Sequence, residues 1–328
     1  MKCINKWICL SLLIAVSCIS GCGKTSAVIE QPYDVYATAA DFGLSSNGSA
    51  EAKSYFASDL CVSEDVAIGT DSTDSQVAEG AGTFNLETNT VVYAKNLYER
   101  LYPASTTKIL TAYIALKYCD DLDAMVTVSE NAVNQASDSS VCNLKAGDVI
   151  RLRDLLYGLM LRSGNDAAVA IAEYISGDVD SFAALMNQEA VAMGATRSHF
   201  VNPNGLPDEN HYTCVYDMYL IFSNAVKNDT FVSIIGTTSY DVTYTDASGE
   251  AVTHTWENTN QYLTGNATTP DGFQIVGGKT GTTGEAGYCL VLYSYNPSGQ
   301  PIISIVFKAD GKSNLYLLMN EMLQGFAI

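Results

Sequence analysis

The chain has 328 residues, of which 47% are apolar, so it can build an enzyme-sized hydrophobic core and is not disordered over most of its length. Its 36 acidic residues outnumber its 17 basic ones, and the body of the chain has no basic cluster, which excludes nucleic acid as a partner. We attribute the acidic excess to solubility.

The first 21 residues have the pattern of an export signal. Lys2 and Lys6 give a basic start, and the apolar run from Trp7 to Ile19 is too short to span a bilayer stably. Ile19-Ser20-Gly21-Cys22 resembles a bacterial lipobox, in which the cysteine is acylated and becomes the new N-terminus; ordinary cleavage after a small residue is the alternative. We expect an exported protein held at the outer face of the cell membrane by a lipid on Cys22.

Two further segments follow the signal. Residues 22–54 are rich in Ser, Ala, Gly and acidic side chains and show no sustained periodicity, so we interpret them as a flexible tether. We assign residues 55–328 to a single folded domain, which is where every motif with chemical content lies.

The hydrophobic pattern of this domain predicts strands, a helical block, more strands and a closing helix. Strands are expected at Leu60 to Val62, Gly82 to Leu86, Thr90 to Ala94, residues 239–245, Phe273 to Val276, Tyr288 to Tyr295 and Pro301 to Phe307. Helical spacing covers Lys108 to Lys117, Leu152 to Leu161, Ala167 to Ile175 and Asn314 to Phe326. This order predicts an α+β fold, in which a sheet packed with helices faces an all-helical part across a groove.

The cysteines and histidines do not suggest a metal site. None of the nine cysteines has metal-ligand spacing and the three histidines are scattered, so we expect neither a metal ion nor a cofactor. Isolated buried thiols are expected in the body of the chain, with one disulfide of unassigned partners among Cys61, Cys119, Cys142, Cys214 and Cys289.

The most informative motif is Ser105-Thr106-Thr107-Lys108, which follows Pro103 at a predicted helix start. Its spacing puts a hydroxyl and an amine on one face, one turn apart, with Ser105 as nucleophile among the first backbone N–H groups of the helix. Lys108 is the candidate general base. To act as a base it must be neutral, which requires burial or a nearby positive charge, and Lys279 can supply that charge.

A second motif, Ser163-Gly164-Asn165, interrupts two apolar helical segments. We predict that the Ser163 hydroxyl relays a proton between the lysine, the nucleophile and a leaving amine. The amide of Asn165 is expected to orient the substrate backbone.

The third motif, Lys279-Thr280-Gly281, follows an apolar strand and the glycine pair Gly277-Gly278. The paired glycines are interpreted as room for a second backbone, so that an extended peptide adds along the strand. Lys279, Thr280, Gly281 and Thr282 are expected to bind a substrate carboxylate. The backbone N–H groups of Ser105 and Thr282 form the expected oxyanion hole.

With these three motifs in this order, the chain resembles the low-molecular-weight penicillin-binding proteins that are serine-type D-alanyl-D-alanine carboxypeptidases. The resemblance runs from about residue 78 to 326 and includes Leu144 to Asp148, Asn202-Pro203 and Gly205 to Pro207. It implies a β-lactamase/transpeptidase-like fold, peptidoglycan stem peptides as substrate and β-lactam antibiotics as covalent inhibitors. Ser-Gly-Asn, in place of Ser-Asp-Asn, favours this branch over class A β-lactamases, whose deacylating glutamate motif has no evident match.

Three positions depart from the family pattern. Asn204 stands where relatives usually have His, Tyr216 stands where an Arg often precedes Asp-Met, and no Arg follows the strand that ends at Phe307. Lys308 or Lys312 is the candidate replacement for that Arg. Many relatives also carry a C-terminal β-domain and an amphipathic membrane helix, and we expect the lipid on the N-terminus to take the place of that anchor.

The expected activity is removal of the terminal D-alanine from a stem peptide through an acyl-serine intermediate. A β-lactamase or a D,D-endopeptidase with the same acyl-serine site is the alternative enzyme. A non-catalytic penicillin-binding wall sensor or scaffold lipoprotein is the alternative of another class.

Overall fold

A computed structural model describes residues 57–328, so the predicted signal, tether and Cys22 anchor lie outside the described residues. The strands are β1 (Ala78–Asn85), β2 (Thr90–Lys95), β3 (Met125–Thr127), β4 (Val149–Arg151), β5 (Ser239–Thr245), β6 (Ala251–Glu257), β7 (Gln274–Thr283), β8 (Gly287–Tyr295) and β9 (Pro301–Ala309). The helices are α1 (Lys108–Tyr118), α2 (Glu130–Val133), α3 (Leu152–Tyr157), α4 (Asn165–Ser176), α5 (Val179–Ala192), α6 (Val215–Ala225), α7 (Asp229–Ile235), α8 (Gln261–Thr264) and α9 (Lys312–Phe326).

An antiparallel sheet with the strand order β2-β1-β9-β8-β7 forms one part of the domain. Its inner strands β8 and β9 are apolar on both faces because helices cover both sides. Leu290 and Leu292 pack against α9, whereas Val291 and Tyr293, which point to the opposite face, join the core shared with the other helices. The edge strand β7 therefore borders the helical part.

The helical part is built around α1, whose Ile109, Leu110, Ala112, Ile114 and Ala115 are all buried. A helix that is apolar almost all round has to be surrounded, and α4, α5 and α6 lie against it. A second, smaller antiparallel sheet with the order β3-β4-β5-β6 completes this part. The predicted α+β architecture is confirmed.

Most predicted elements are present, but the strand predicted at Leu60 to Val62 is wrong. This segment has no strand pairing; instead, the backbone N–H of Cys61 donates to the Tyr219 hydroxyl at 2.9 Å. The Tyr219 ring stacks on Phe84 with centroids 4.2 Å apart. The segment is thus held by side-chain contacts, which a period-two pattern does not distinguish from a strand.

The five described cysteines are all free thiols, so the expected disulfide among them is wrong. Cys119 is half-buried and the other four are buried. Within residues 57–328, no three His, Cys, Asp or Glu side chains are arranged to hold a metal ion. In the same range, no helix combines the length and apolar character needed to cross a bilayer.

The packing of α9 against the sheet can be tested by two matched substitutions that should differ in their effect on the free energy of unfolding. Leu318 is fully buried, whereas its neighbour Leu317 is 47% exposed. We expect Leu318→Ala to lower the free energy of unfolding by about 2–5 kcal/mol, because it removes buried methyl groups and leaves a cavity. Leu317→Ala should change it by less than about 0.5 kcal/mol. Urea unfolding of both variants checks this; equal losses would mean that α9 does not pack as described.

Candidate active site

The predicted nucleophile, Ser105, lies in a strained turn just before α1. Ser105 belongs to a one-turn 3₁₀ helix, Ala104–Thr107, and the α-helix begins at Lys108, where the predicted helical spacing also begins. Ala104 has a left-handed φ of 48°, which is uncommon for a residue with a Cβ. Gly205 accommodates this turn, because a Cβ at Gly205 would lie 1.8 Å from the Ala104 carbonyl oxygen. Such strain is typical of functional sites.

Lys108 is completely buried beneath the nucleophile. Its Nζ lies 3.0 Å from Ser105 Oγ, 2.8 Å from Asn165 Oδ1 and 2.6 Å from the backbone oxygen of Asn204. Burial, and after it the positive charge of Lys279, holds the pKa of Lys108 well below its ordinary value of 10.5. The structure therefore meets both conditions that the sequence set for a lysine base.

The hydrogen-bond partners also orient the lone pair of a neutral lysine. A neutral amine has two N–H groups and one lone pair, and the oxygens of Asn165 and Asn204 can only accept. When both N–H groups donate to these oxygens, the lone pair is left for the Ser105 hydroxyl. Chemically, this arrangement allows Lys108 to take the proton of the Ser105 hydroxyl, as the sequence predicts.

The second motif brings Asn165 against the base and Ser163 into the cavity. The amide oxygen of Asn165 accepts from the Lys108 amine, and its amide nitrogen is available to orient a substrate, as predicted for this residue. Ser163 follows a π-helical turn, Gly158–Arg162, and has a left-handed φ of 63°. It lines the same cavity as Ser105. In the described chain its hydroxyl has no hydrogen bond to Ser105 or Lys108, so the relay role stays a prediction.

The third motif lies within β7, not after it. Lys279 is only 1% exposed, and burial lowers its pKa to about 7. Its Nζ donates to the Thr280 carbonyl oxygen at 3.0 Å, and it does not line the cavities at Ser105. Thr280, Gly281 and Thr282 do line a cavity with the nucleophile. Lys279 thus lies buried on the same face of β7 as Gly281, which is turned towards Ser105, and its charge acts on Lys108.

The interpretation of the paired glycines is wrong in one respect. A Cβ at Gly277 would lie 2.3 Å from the Ile235 oxygen, and one at Gly278 would lie 2.1 Å from the Val291 oxygen. The backbone that approaches these glycines is therefore the protein's own, in α7 and β8. The other edge of β7 has no strand partner in residues 57–328, so an added peptide strand still has a place to pair.

Two cavities meet at Ser105 and Thr282, and their charged residues differ in sign. One, of about 220 Å³, has Lys312 as its charged lining residue, while the other, of about 410 Å³, has Asp138 and Glu285. Sequence reasoning missed two polar residues of the first cavity, Ser140 and Thr259. Thr259 Oγ1 lies 2.6 Å from Thr280 Oγ1. Neither residue belongs to a motif, so the sequence held no signal for them.

The structure shows what the three departures from the family pattern affect. Asn204 serves Lys108 through its backbone oxygen, and its side chain accepts from the Leu206 N–H, so the base keeps its contact. Tyr216 packs among aromatic rings and does not line either cavity at Ser105. Lys308 pairs with Glu79 at 2.7 Å, which leaves Lys312 as the candidate cation at the site.

Comparison with known proteins agrees with this site. A family model described as D-alanyl-D-alanine carboxypeptidase, of the S11 peptidases, matches residues 69–311. D-alanyl-D-alanine carboxypeptidase DacF of Bacillus subtilis is 34% identical over 251 residues, which cover 75% of this chain and 61% of the relative. D-alanyl-D-alanine carboxypeptidase of Streptomyces sp. strain K15 is 34% identical over 265 residues, covering 76% of this chain and 88% of the relative.

A solved structure extends the similarity to the fold. The crystal structure of the Streptomyces K15 DD-transpeptidase superposes with a TM-score of 0.71 at 33% identity, covering 77% of this chain and 98% of that one. It confirms the expected β-lactamase/transpeptidase-like fold. This chain belongs to the serine D-alanyl-D-alanine carboxypeptidase family.

Proposed function

We propose that this protein is a serine-type D-Ala-D-Ala carboxypeptidase that removes the terminal D-alanine from peptidoglycan stem peptides. The observation that carries the proposal is the buried Lys108 amine, whose N–H groups face two acceptor oxygens and whose lone pair faces Ser105. A protein that only bound the wall would not need a desolvated base on its serine. This arrangement therefore disfavours the non-catalytic sensor or scaffold.

We propose the following course for the reaction. Ser105 attacks the carbonyl between the two D-alanines while Lys108 takes its proton, and the Ser105 and Thr282 N–H groups stabilise the oxyanion. Ser163 relays the proton to the leaving amine, D-alanine departs, and water then hydrolyses the acyl-serine ester. Lys312, with the Thr280 and Thr282 hydroxyls, receives the substrate carboxylate in the smaller cavity.

A DD-transpeptidase activity is the second candidate, because the K15 structure that this chain covers almost completely carries that name. The two reactions share the acyl-serine intermediate and differ only in whether water or an amine attacks it. Product analysis with an added amine acceptor separates them. A D,D-endopeptidase would cleave a cross-linked dimer faster than a linear stem peptide.

The first functional prediction compares a peptide substrate with penicillin and tests the role of Ser105 in both reactions. We expect the protein to turn over a D-Ala-D-Ala peptide at least about 100 times faster than it hydrolyses penicillin, a barrier difference near 2.7 kcal/mol. The retained ring of penicillin blocks water from the acyl ester, whereas departure of D-alanine leaves room for it. Ser105→Ala should abolish both peptide turnover and the covalent penicillin adduct, as measured by steady-state kinetics and mass spectrometry.

Ser163→Ala is the matched control for this experiment. It should slow acylation but leave the adduct on Ser105, because only Ser105 lies within reach of the lysine amine. An adduct mapped to Ser163 would overturn the assignment of roles. Penicillin turnover as fast as peptide turnover would make this protein a β-lactamase.

The pH dependence should report the protonation of Lys108. Acylation requires neutral Lys108, so kcat/KM should rise as pH increases through the lowered pKa of Lys108. Lys279→Met removes a positive charge that lowers this pKa, so it should move the acid limb to higher pH. Lys308→Met, which removes an exposed cation paired with Glu79, is the control. An acid limb that moves to lower pH in Lys279→Met would contradict this scheme.

We also propose that the protein is exported and lipid-anchored at Cys22, on the basis of the Ile19-Ser20-Gly21-Cys22 segment. Cys22→Ala should transfer the protein from the membrane fraction to the soluble exported fraction, as measured by fractionation and immunoblotting. Cys18→Ala, within the apolar run of the signal, should leave the distribution unchanged. If Cys22→Ala stays in the membrane fraction, another element holds the protein there.

A further inference from the structure

The acceptor that holds Lys108 from one side is part of an irregular loop, residues 200–206, which we call the acceptor loop. The loop touches α1 and the turn before it at several points. The Thr111 hydroxyl donates to the Pro203 oxygen at 2.7 Å, and Lys108 Nζ lies 2.6 Å from the Asn204 oxygen. The next residue, Gly205, packs directly on the Ala104 carbonyl. The position of the loop therefore sets the position of an oxygen that the base needs.

A single buried histidine bridges the acceptor loop and the SxxK segment. His211 is completely buried, and its Nδ1 accepts from the Val201 N–H at 3.1 Å. Its Nε2 lies 2.9 Å from the hydroxyl oxygen of Thr107, the residue before the base. Phe200 packs edge-on against the same ring, with centroids 5.5 Å apart. No motif singled out this histidine, and the proposed reaction does not use it.

The contacts determine the protonation state of the ring. A backbone N–H can only donate, so Nδ1 facing Val201 carries no proton and Nε2–H donates to Thr107. An imidazolium would place a second N–H against the Val201 N–H. Burial lowers the pKa of His211 to about 4, against the weaker opposing charge of Asp208, so the neutral ring persists at physiological pH.

We propose that His211 is a positioning residue for the catalytic base. By joining Val201 to Thr107, its ring holds the acceptor loop against α1, so that the Asn204 oxygen takes one N–H of Lys108 and the lone pair points at Ser105. His211 does not touch the substrate. The inference deepens the proposed function and rests on Lys108 being the base.

Loss of this bridge should change the base in a direction that the structure specifies. Burial is the largest cause that lowers the pKa of Lys108; the charge of Lys279 acts in the same direction, and Cys142 and Asp166 oppose it. A loosened acceptor loop admits water to the amine, so the pKa of Lys108 should rise towards its ordinary value. The base is then more protonated at neutral pH, and acylation slows.

The test measures the Lys108 pKa directly by NMR of lysine side chains in the unreacted protein, together with penicillin acylation of the full chain. We expect His211→Ala to raise this pKa by about one pH unit or more and to slow acylation about tenfold or more at pH 7, with the reversible affinity for penicillin unchanged. Thr107→Val removes the hydroxyl partner while keeping the side-chain shape, and it should change both quantities in the same direction by a smaller amount.

His199→Ala is the matched control. His199 immediately precedes the acceptor loop, but its Nδ1 contacts the Asn210 oxygen. Its hydrogen bonds in the described chain do not reach α1 or the turn before it. It should leave the Lys108 pKa and the acylation rate at their wild-type values. If His211 served only the stability of the fold, His211→Ala would lower the fraction of protein that can be acylated. The Lys108 pKa and the acylation rate of the folded fraction would then be unchanged.

Each outcome decides a separate question. An unchanged Lys108 pKa in both folded variants would overturn the inference, and if His211→Ala does not fold, Thr107→Val decides. Should the wild-type protein form no penicillin adduct at Ser105, the proposed function fails. The NMR measurement then still shows whether His211 positions the amine.

Discussion

The site depends on one constraint, the burial of the Lys108 amine in the core. An amine without water must find its hydrogen-bond partners within the protein, and here each partner comes from a different part of the fold. Ser105 comes from the 3₁₀ turn, Asn165 from the start of α4 and Asn204 from the acceptor loop. The same burial that demands these partners also favours the uncharged amine, so structural satisfaction and basicity have a common origin.

A second buried amine strengthens this effect. Lys279 occupies the inward-facing side of β7, and its positive charge disfavours a proton on Lys108. Two desolvated ammonium groups in one site repel each other, so the pair is more easily protonated once than twice. The Lys279 amine also donates to the carbonyl oxygen of Thr280, whose residue lines the cavity at Ser105.

Close backbone approach explains why glycines surround this arrangement. Gly205 lets the acceptor loop touch the strained Ala104 carbonyl, and a Cβ at Gly281 would lie 3.0 Å from the Ser105 nitrogen. Gly277 and Gly278 let β7 pack tightly against α7 and β8. The glycines near the third motif therefore fit β7 to the rest of the protein, while Gly281 keeps space beside the N–H of the nucleophile.

The sequence by itself determined the α+β pattern of strands, a helical block, more strands and a closing helix, and it singled out Ser105, Lys108 and Lys279 as the candidate site. It did not predict β3, β4, β6 or five of the nine helices in residues 57–328. The features that it did predict follow from local spacing, because a hydroxyl and an amine three residues apart at a helix start share one face, and hydrophobic periods of 2 and 3.6 are local patterns. Only the tertiary structure decided that Asn165 accepts from the Lys108 amine, that Asn204 does so through its backbone oxygen and that His211 joins the acceptor loop to the 3₁₀ turn before α1. Those contacts join residues 57 to 104 positions apart, and long-range contacts leave no periodic trace in the chain.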